Sequence, residues 1–236
     1  MELVFFPETK EISLNSMFII QGYAFSQKTI KSFKENKVFL KSENGELVEL
    51  NLQEILIGQK KISQAIFCPA TELEPNTKYY LKFSEISENE TNETSIYELD
   101  KKESEKVYWI TTNNKSVESL NSDITLEFEK TQITHYGCGP EAYAIFNIKN
   151  NPDSEIWYKT ELIELETNEK FVYYIKEWKG KLNVGHSMCS GAFAFNKEGK
   201  YKVRFTPMSI DGKKSTTTNW ITFESPFMND KSIFGK

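Results

Sequence analysis

Hydrophobic positions along this chain fall in short aromatic and β-branched bursts, spaced roughly ten residues apart and separated by turn formers, with almost no recurrence at helical spacing. Half-buried strands require this alternation, because successive side chains leave a strand on opposite faces. The pattern predicts strands in ELVFFP (2–7), SMFIIQGYAF (16–25), NKVFLKS (36–42), ELVELN (46–51), ISQAIFCP (62–69), TKYYLKFSEI (77–86) and EKVYWITT (105–112). Seven more follow in DITLEFEKTQITHY, EAYAIFNIKN, EIWYKTELIELE, KFVYYIKEW, SGAFAFN, GKYKVRFTPMS and TTNWITFES. Only QKTIKSFKE and the short LQEIL read as helix.

Between the two sets lies NNKSVESLNS (113–122), with no aromatic and a single Leu, which marks a linker. The predicted organisation is all-β: two tandem antiparallel β-sandwiches over 1–112 and 123–225, joined by 113–122 and followed by a tail at 226–236. Turn chemistry agrees. Gly45 in SENGEL, Asn168 in LETNEK and the stretch SIDGKKS (209–215) place residues that tolerate positive φ between strands. SENETNETS (87–95) reads as a polar loop within the first half.

At 236 residues the chain is long enough for two domains with separate cores, and 39% hydrophobic with 27% charged residues is ordinary globular composition. The net charge is −5, and Arg204 is the one arginine. That balance argues against nucleic acid, whose phosphates and guanines are read by clustered cations and arginine forks. No run of 18 apolar residues is present, so no membrane-spanning helix is expected. MELVFFPETK has neither the basic nor the apolar region of a signal peptide. Two expectations remain: a cytosolic protein, or an exported one whose signal is missing from this sequence.

The segment LEPNTKYYLKF (73–83) resembles the turn and following strand of bacterial immunoglobulin-like and fibronectin type III-like domains. That resemblance implies that Leu73 caps the core, Pro75 starts the corner and the Tyr79 hydroxyl bonds back to the backbone. FFPETKEISLNSMFIIQGYAF is similar to the first two strands of surface-layer type Ig-like domains, and GKYKVRFTPMSIDGKKS to the penultimate strand and hairpin of such modules. The second half departs from the pattern, since NKEGKY, with no Leu-x-Pro, precedes Tyr201. The implied architecture is two Ig-like sandwiches, a fold that carries many unrelated functions.

Candidate chemistry concentrates in THYGCG (134–139) and GHSMCSG (185–191), which hold both histidines and two of the three cysteines, each His three residues before its Cys. In one reading His135, Cys138, His186 and Cys189 ligate a tetrahedral zinc, provided turns at Gly137–Pro140 and Cys189–Gly191 bring each pair to one side. In the other, Cys138 and Cys189 form a disulfide that closes a loop of about fifty residues and contributes on the order of 4 kcal/mol. The disulfide is the expectation carried forward. It implies an oxidising compartment, hence a periplasmic, secreted or cell-surface protein, and no cofactor. The histidines then become rim residues, and Cys68, alternating with Ile66 on one strand face, a small buried hydrophobe.

No Gly-x-Ser-x-Gly elbow, phosphate-binding loop or His-Glu-x-x-His helix occurs, so no catalytic residue is named and the chain reads as non-enzymatic. IWYKTEL and FVYYIKEWKG set Trp157, Tyr158, Tyr173, Tyr174 and Trp178 on successive strands, where consecutive aromatics place rings on both faces. An exposed platform for sugar or protein is one expectation, and plain sheet packing the other. The function class expected is an exported binding or spacer module acting through protein contacts, with a protein or a cell-surface polysaccharide as partner. Zinc binding and carbohydrate binding are the alternatives.

Overall fold

A computed structural model of the chain describes residues 3–84, 107–114, 120 and 123–230. The polar loop at 87–95, most of the 113–122 linker and the end of the tail lie outside the described residues. The chain divides into two compact units: unit 1 is Met1–Ile55, Ser63–Glu118 and Ile210–Gly212, and unit 2 is Leu56–Ile62, Ser119–Ser209 and Lys213–Lys236. One short segment from each half of the chain is counted in the other unit.

In the first half, β1 (Leu3–Phe6), β2 (Glu11–Ile12), β3 (Phe18–Tyr23), β4 (Val38–Ser42), β5 (Leu47–Ile57), β6 (Ile62–Pro69), β7 (Lys78–Phe83) and β8 (Tyr108–Thr111) form one sheet, ordered β1-β3-β6-β5-β4-β7-β8-β2. β4 pairs antiparallel with β5 and with β7, and β7 with β8, whereas β2 joins β8 in parallel. Alternation decides the two faces. Val38, Leu40, Tyr79, Leu81, Phe83 and Trp109 are buried, while the residues between them point outward. The core includes Phe18 edge-on to Trp109 at 4.8 Å and Phe33 stacked on Phe83 at 5.7 Å. QKTIKSFKE does form a helix, α1 (Gln27–Ser32), burying Thr29 and Ile30. LQEIL does not, because it continues the alternation of β5 and is too short to nucleate a helix against that pairing.

Unit 2 contains β9 (Thr125–Tyr136), β10 (Gly139–Lys149), β11 (Ile156–Glu164), β12 (Lys170–Lys176), β13 (Lys181–His186), β14 (Lys200–Ser209) and β15 (Ile221–Glu224). These make two antiparallel sheets, β13-β10-β9 and β12-β11-β14-β15. Both sheets contribute to one core, with Phe146 of β10 edge-on to Phe205 of β14 at 5.0 Å. SGAFAFN is not a strand. Its place is taken by KLNVGH, because Lys179 (φ 53°) and Gly180 (φ 75°) make a two-residue turn closed by the Trp178–Lys181 bridge shortly after β12 and start β13 at Lys181. The β9–β10 register shifts between Ile145, opposite Lys130, and Phe146, opposite Phe128, leaving Glu129 as a bulge on β9.

The supposed tail also begins as structure. Pro226–Asn229 is a 3₁₀ turn capped by the Ser225 hydroxyl, which accepts from the Phe227 N–H at 3.2 Å, and Phe227 packs against the unit 2 core. The described chain is thus all-β.

Candidate functional site

Pairing of β10 with both β9 and β13 brings the two His–Cys segments to one end of a sheet, with Pro140 opposite His135 and Ala142 opposite His186. There the Cys138 Sγ meets Met188 Sδ at 3.4 Å, and Cys68, Cys138 and Cys189 are all free. The expected disulfide is not formed, because Met188, one residue short of Cys189, occupies the place facing Cys138. The argument for an oxidising compartment goes with it. Cys68 is half-buried, and burial pushes its thiol pKa up, away from reactivity.

The four proposed zinc ligands do not converge either. His135 Nε2 pairs with Asp230 Oδ2 at 2.8 Å, which fastens the 3₁₀ turn to β9 beside a cleft of about 430 Å³ lined by Pro140, Lys197, Glu198, Phe227 and Met228. His186 is buried, its Nδ1 lying 2.8 Å from Ser187 O and 3.1 Å from Lys60 Nζ. An Nδ1–H donates to the carbonyl, whereas a bare Nδ1 accepts from the ammonium, so the tautomer selects one bond or the other. Burial pulls the pKa of His186 down, and the Lys60 charge adds to this against the Ser187 bond. Lys60 is lowered by burial too, opposed by the charge of Cys189. The neighbouring backbone leaves no slack: Lys60 and Gly191 exchange two hydrogen bonds, and a Cβ on Gly191 would lie 2.2 Å from that of His186. Among the described residues no group of three or more His, Cys, Asp or Glu side chains could hold a metal ion.

The aromatic platform is buried on both faces. Tyr158 and Tyr173 belong to the core, the Tyr158 hydroxyl donating to Asn151 Oδ1 at 2.9 Å, and burial pushes both phenols far above their ordinary pKa. Trp157 and Tyr174 are buried around Met208, the cross-strand partner of Trp157, and the Trp157 indole donates to Glu155. Only Trp178, 66% exposed at the β12–β13 turn, is available to a ligand.

Leu73 and Tyr79 are both buried, and the Tyr79 hydroxyl accepts from the Glu74 N–H at 2.9 Å, with Pro75 next in the turn. Burial raises the Tyr79 pKa, so the phenol stays neutral. This corner fixes where β7 starts, and therefore which of its residues face outward. Lys78, Tyr80 and Lys82 do, and Tyr80 has Lys41 of β4 on one side and Tyr108 of β8 on the other. Lys78 Nζ lies 5.0 Å from the Tyr80 ring centroid and 4.2 Å from that of Tyr108, while Lys10 Nζ lies 4.8 Å from Tyr108. The hydrogen bond with Tyr80 is the largest influence holding the Lys78 ammonium charged. Sequence reading missed this cluster, although the period-two Lys-Tyr-Lys of TKYYLKF displays it.

No family model and no curated protein sequence matches the chain. Among solved structures it is similar to pullulanase from Anoxybacillus sp. LM18-11, at 10% identity and TM-score 0.26 over 93% of this chain and 25% of that one. The maltotriose complex of that pullulanase matches at 9% identity and TM-score 0.26, over 86% and 24%. The chain thus spans about a quarter of the pullulanase length. A chain of a cytokine receptor complex matches at 9% identity and TM-score 0.28, over 95% and 97%.

Proposed function

We propose that this chain is a non-catalytic binding module, built of Ig-like units, that acts through protein contacts made by the outward face of β4, β7 and β8. The observation that carries this reading is the Tyr80–Tyr108 pair, partly exposed on the sheet face with Lys78 and Lys10 at its rings. Tyrosine brings a large rigid surface and a hydroxyl to an interface at little entropy cost. A catalytic reading has less support, since His135 is engaged by Asp230, and His186 is buried against Ser187 and Lys60. A sugar-stacking reading loses support from the burial of four of the five aromatics expected to form its platform.

The test is affinity capture on the immobilised chain from an extract of cells that produce it, run beside Tyr80→Ala/Tyr108→Ala. We expect the native chain to retain a polypeptide that the double variant loses by about tenfold, as removal of two interface anchors predicts. Circular dichroism should be unchanged. Identical retention by a folded double variant would sink the proposal.

A further inference from the structure

The outward face of unit 1 carries a specific charge problem. Lys41 is the cross-strand neighbour of Tyr80, and Lys78 and Lys82 are its same-face neighbours along β7. Strand spacing puts these positions about 4.8 Å across and about 6.7 Å along from Tyr80, so three lysine positions flank one tyrosine. Lys10 extends the set at Tyr108, where its Nζ donates to the Tyr108 carbonyl. Of the carboxylates nearby, Glu49 is opposite Phe39 and bound to Lys37 at 2.9 Å, Glu11 is opposite Ile110, and Glu43, just after β4, is close enough for its charge to favour the Lys78 ammonium. Among the described residues neither Lys41 nor Lys82 has a carboxylate partner.

Unit 2 shows how this protein builds a face that is complete in itself. On the outward side of β11 and β14, Glu161 sits between Lys170 and Arg204, and the Arg204 guanidinium forks onto it at 3.1 and 3.0 Å. Trp220 covers the outer edge, 4.6 Å from Arg204 and 5.1 Å from Lys202. Burial pushes Glu161 up, but the hydrogen bonds from Arg204 and Lys170 outweigh it and hold the carboxyl low. Among the described residues the unit 1 face has the cations and the rings of such a network and no carboxylate at its centre.

We infer that an anion is supplied by a partner: the β4–β7–β8 face docks an acidic polypeptide segment, whose carboxylates reach Lys41, Lys78 and Lys82, with Lys78 left in place on the rings of Tyr80 and Tyr108. This inference rests on the protein-contact reading above and names the chemistry of its partner. An extended chain places alternate side chains about 6.7 Å apart on one side, which matches the Lys78–Tyr80–Lys82 row. Lys78 occupies the ring faces, so neither a sugar nor a nucleobase can stack there without displacing it. No arginine fork is present on this face to read a phosphate.

The experiment is fluorescence anisotropy of labelled poly-L-glutamate titrated with the full chain, at about 50 and 300 mM salt. We expect saturable binding that the higher salt weakens. Lys41→Glu/Lys78→Glu/Lys82→Glu should weaken it by at least about tenfold, while Lys149→Glu/Lys179→Glu in unit 2 changes it less than about twofold. The triple alanine variant should lose affinity likewise, which guards against misfolding of the charge reversal. Equal binding by wild type and both triple variants overturns the inference. Tighter, lysine-dependent binding of polygalacturonate or single-stranded DNA overturns it in favour of that polymer and removes the protein-contact reading as well. Absence of poly-glutamate binding, with polypeptide capture still dependent on Tyr80 and Tyr108, overturns the acidic partner alone.

Discussion

Both units turn the chain at a buried tyrosine whose hydroxyl accepts a backbone N–H from five residues upstream, and they secure that turn by opposite means. In unit 1 the Tyr79 hydroxyl takes the Glu74 N–H, with Leu73 buried beside it and the Thr111 hydroxyl donating to the Glu74 carbonyl. In unit 2 the Tyr201 hydroxyl takes the Asn196 N–H at 2.8 Å and itself donates to the carboxylate of Glu164, a residue 5% exposed. Glu164 also accepts from the Asn196 amide and from the Thr167 hydroxyl, and the Ser225 hydroxyl donates to the Asn196 carbonyl. Burial pushes the Tyr201 phenol to about 12, so it remains a donor across the physiological range. One corner is held by apolar packing and the neutral hydroxyl of Thr111, and the other by a buried carboxylate with at least three donors. The same backbone geometry therefore does not require the Leu-x-Pro signature.

Removing each clamp tests that contrast most severely. Glu164→Ala should destabilise unit 2 by about 3 kcal/mol, because it strips a partner from Tyr201, Asn196 and Thr167 inside the fold. Leu73→Ala should cost unit 1 about as much through lost burial and a cavity. Hydrogen exchange resolved by unit in a urea series would separate the two. Tyr201→Phe should cost about 2 kcal/mol and Tyr79→Phe about 1, since the former also deprives a buried carboxyl oxygen of a donor. Equal costs would mean that the carboxylate contributes nothing to the second corner. In a double-mutant cycle, Glu164→Ala and Tyr201→Phe should be sub-additive by about 1 kcal/mol.

The smallest effect concerns pH. Unit 2 holds both histidines, and burial lowers the pKa of His186 below its ordinary 6.5. Below that pH the unfolded chain binds a proton that the folded site resists, so stability present above 6.5 declines as pH falls toward the folded value. Melting of unit 2 followed between about pH 7 and 5 should show this decline, and His186→Gln should flatten it. Unit 1, with no histidine, should be less sensitive over that range.

Strand positions were largely legible because strands such as β4, β7 and β8 alternate buried residues with more exposed ones and others, such as β3 and β6, are short apolar runs; the exceptions have local causes. KLNVGH was missed because its onset depends on positive φ at Lys179, which no propensity for lysine signals. The Tyr201 corner was missed because its clamp comes from Glu164, far off in sequence. The histidines and cysteines drew attention through spacing alone, yet their partners turned out to be Asp230, Lys60, Ser187 and Met188. Aromatic runs at 157–158 and 173–174 do place rings on both sides of their sheet, but alternation says nothing about whether a face is covered.

The bulge at Glu129 has a consequence for how copies of this protein behave in concentrated solution. β9 is the outer strand of its sheet, twelve residues long, and such an edge is a template on which a second chain could grow a continuous ribbon. At Glu129 the template is broken in the middle, with Glu127, Glu129 and Lys130 placed around the break and Glu129 bound across the sheet to Lys181 at 2.6 Å. Neither of the two stretches that remain offers a long, flat, uncharged row. The misplaced residue thus acts as a safeguard against fibre formation.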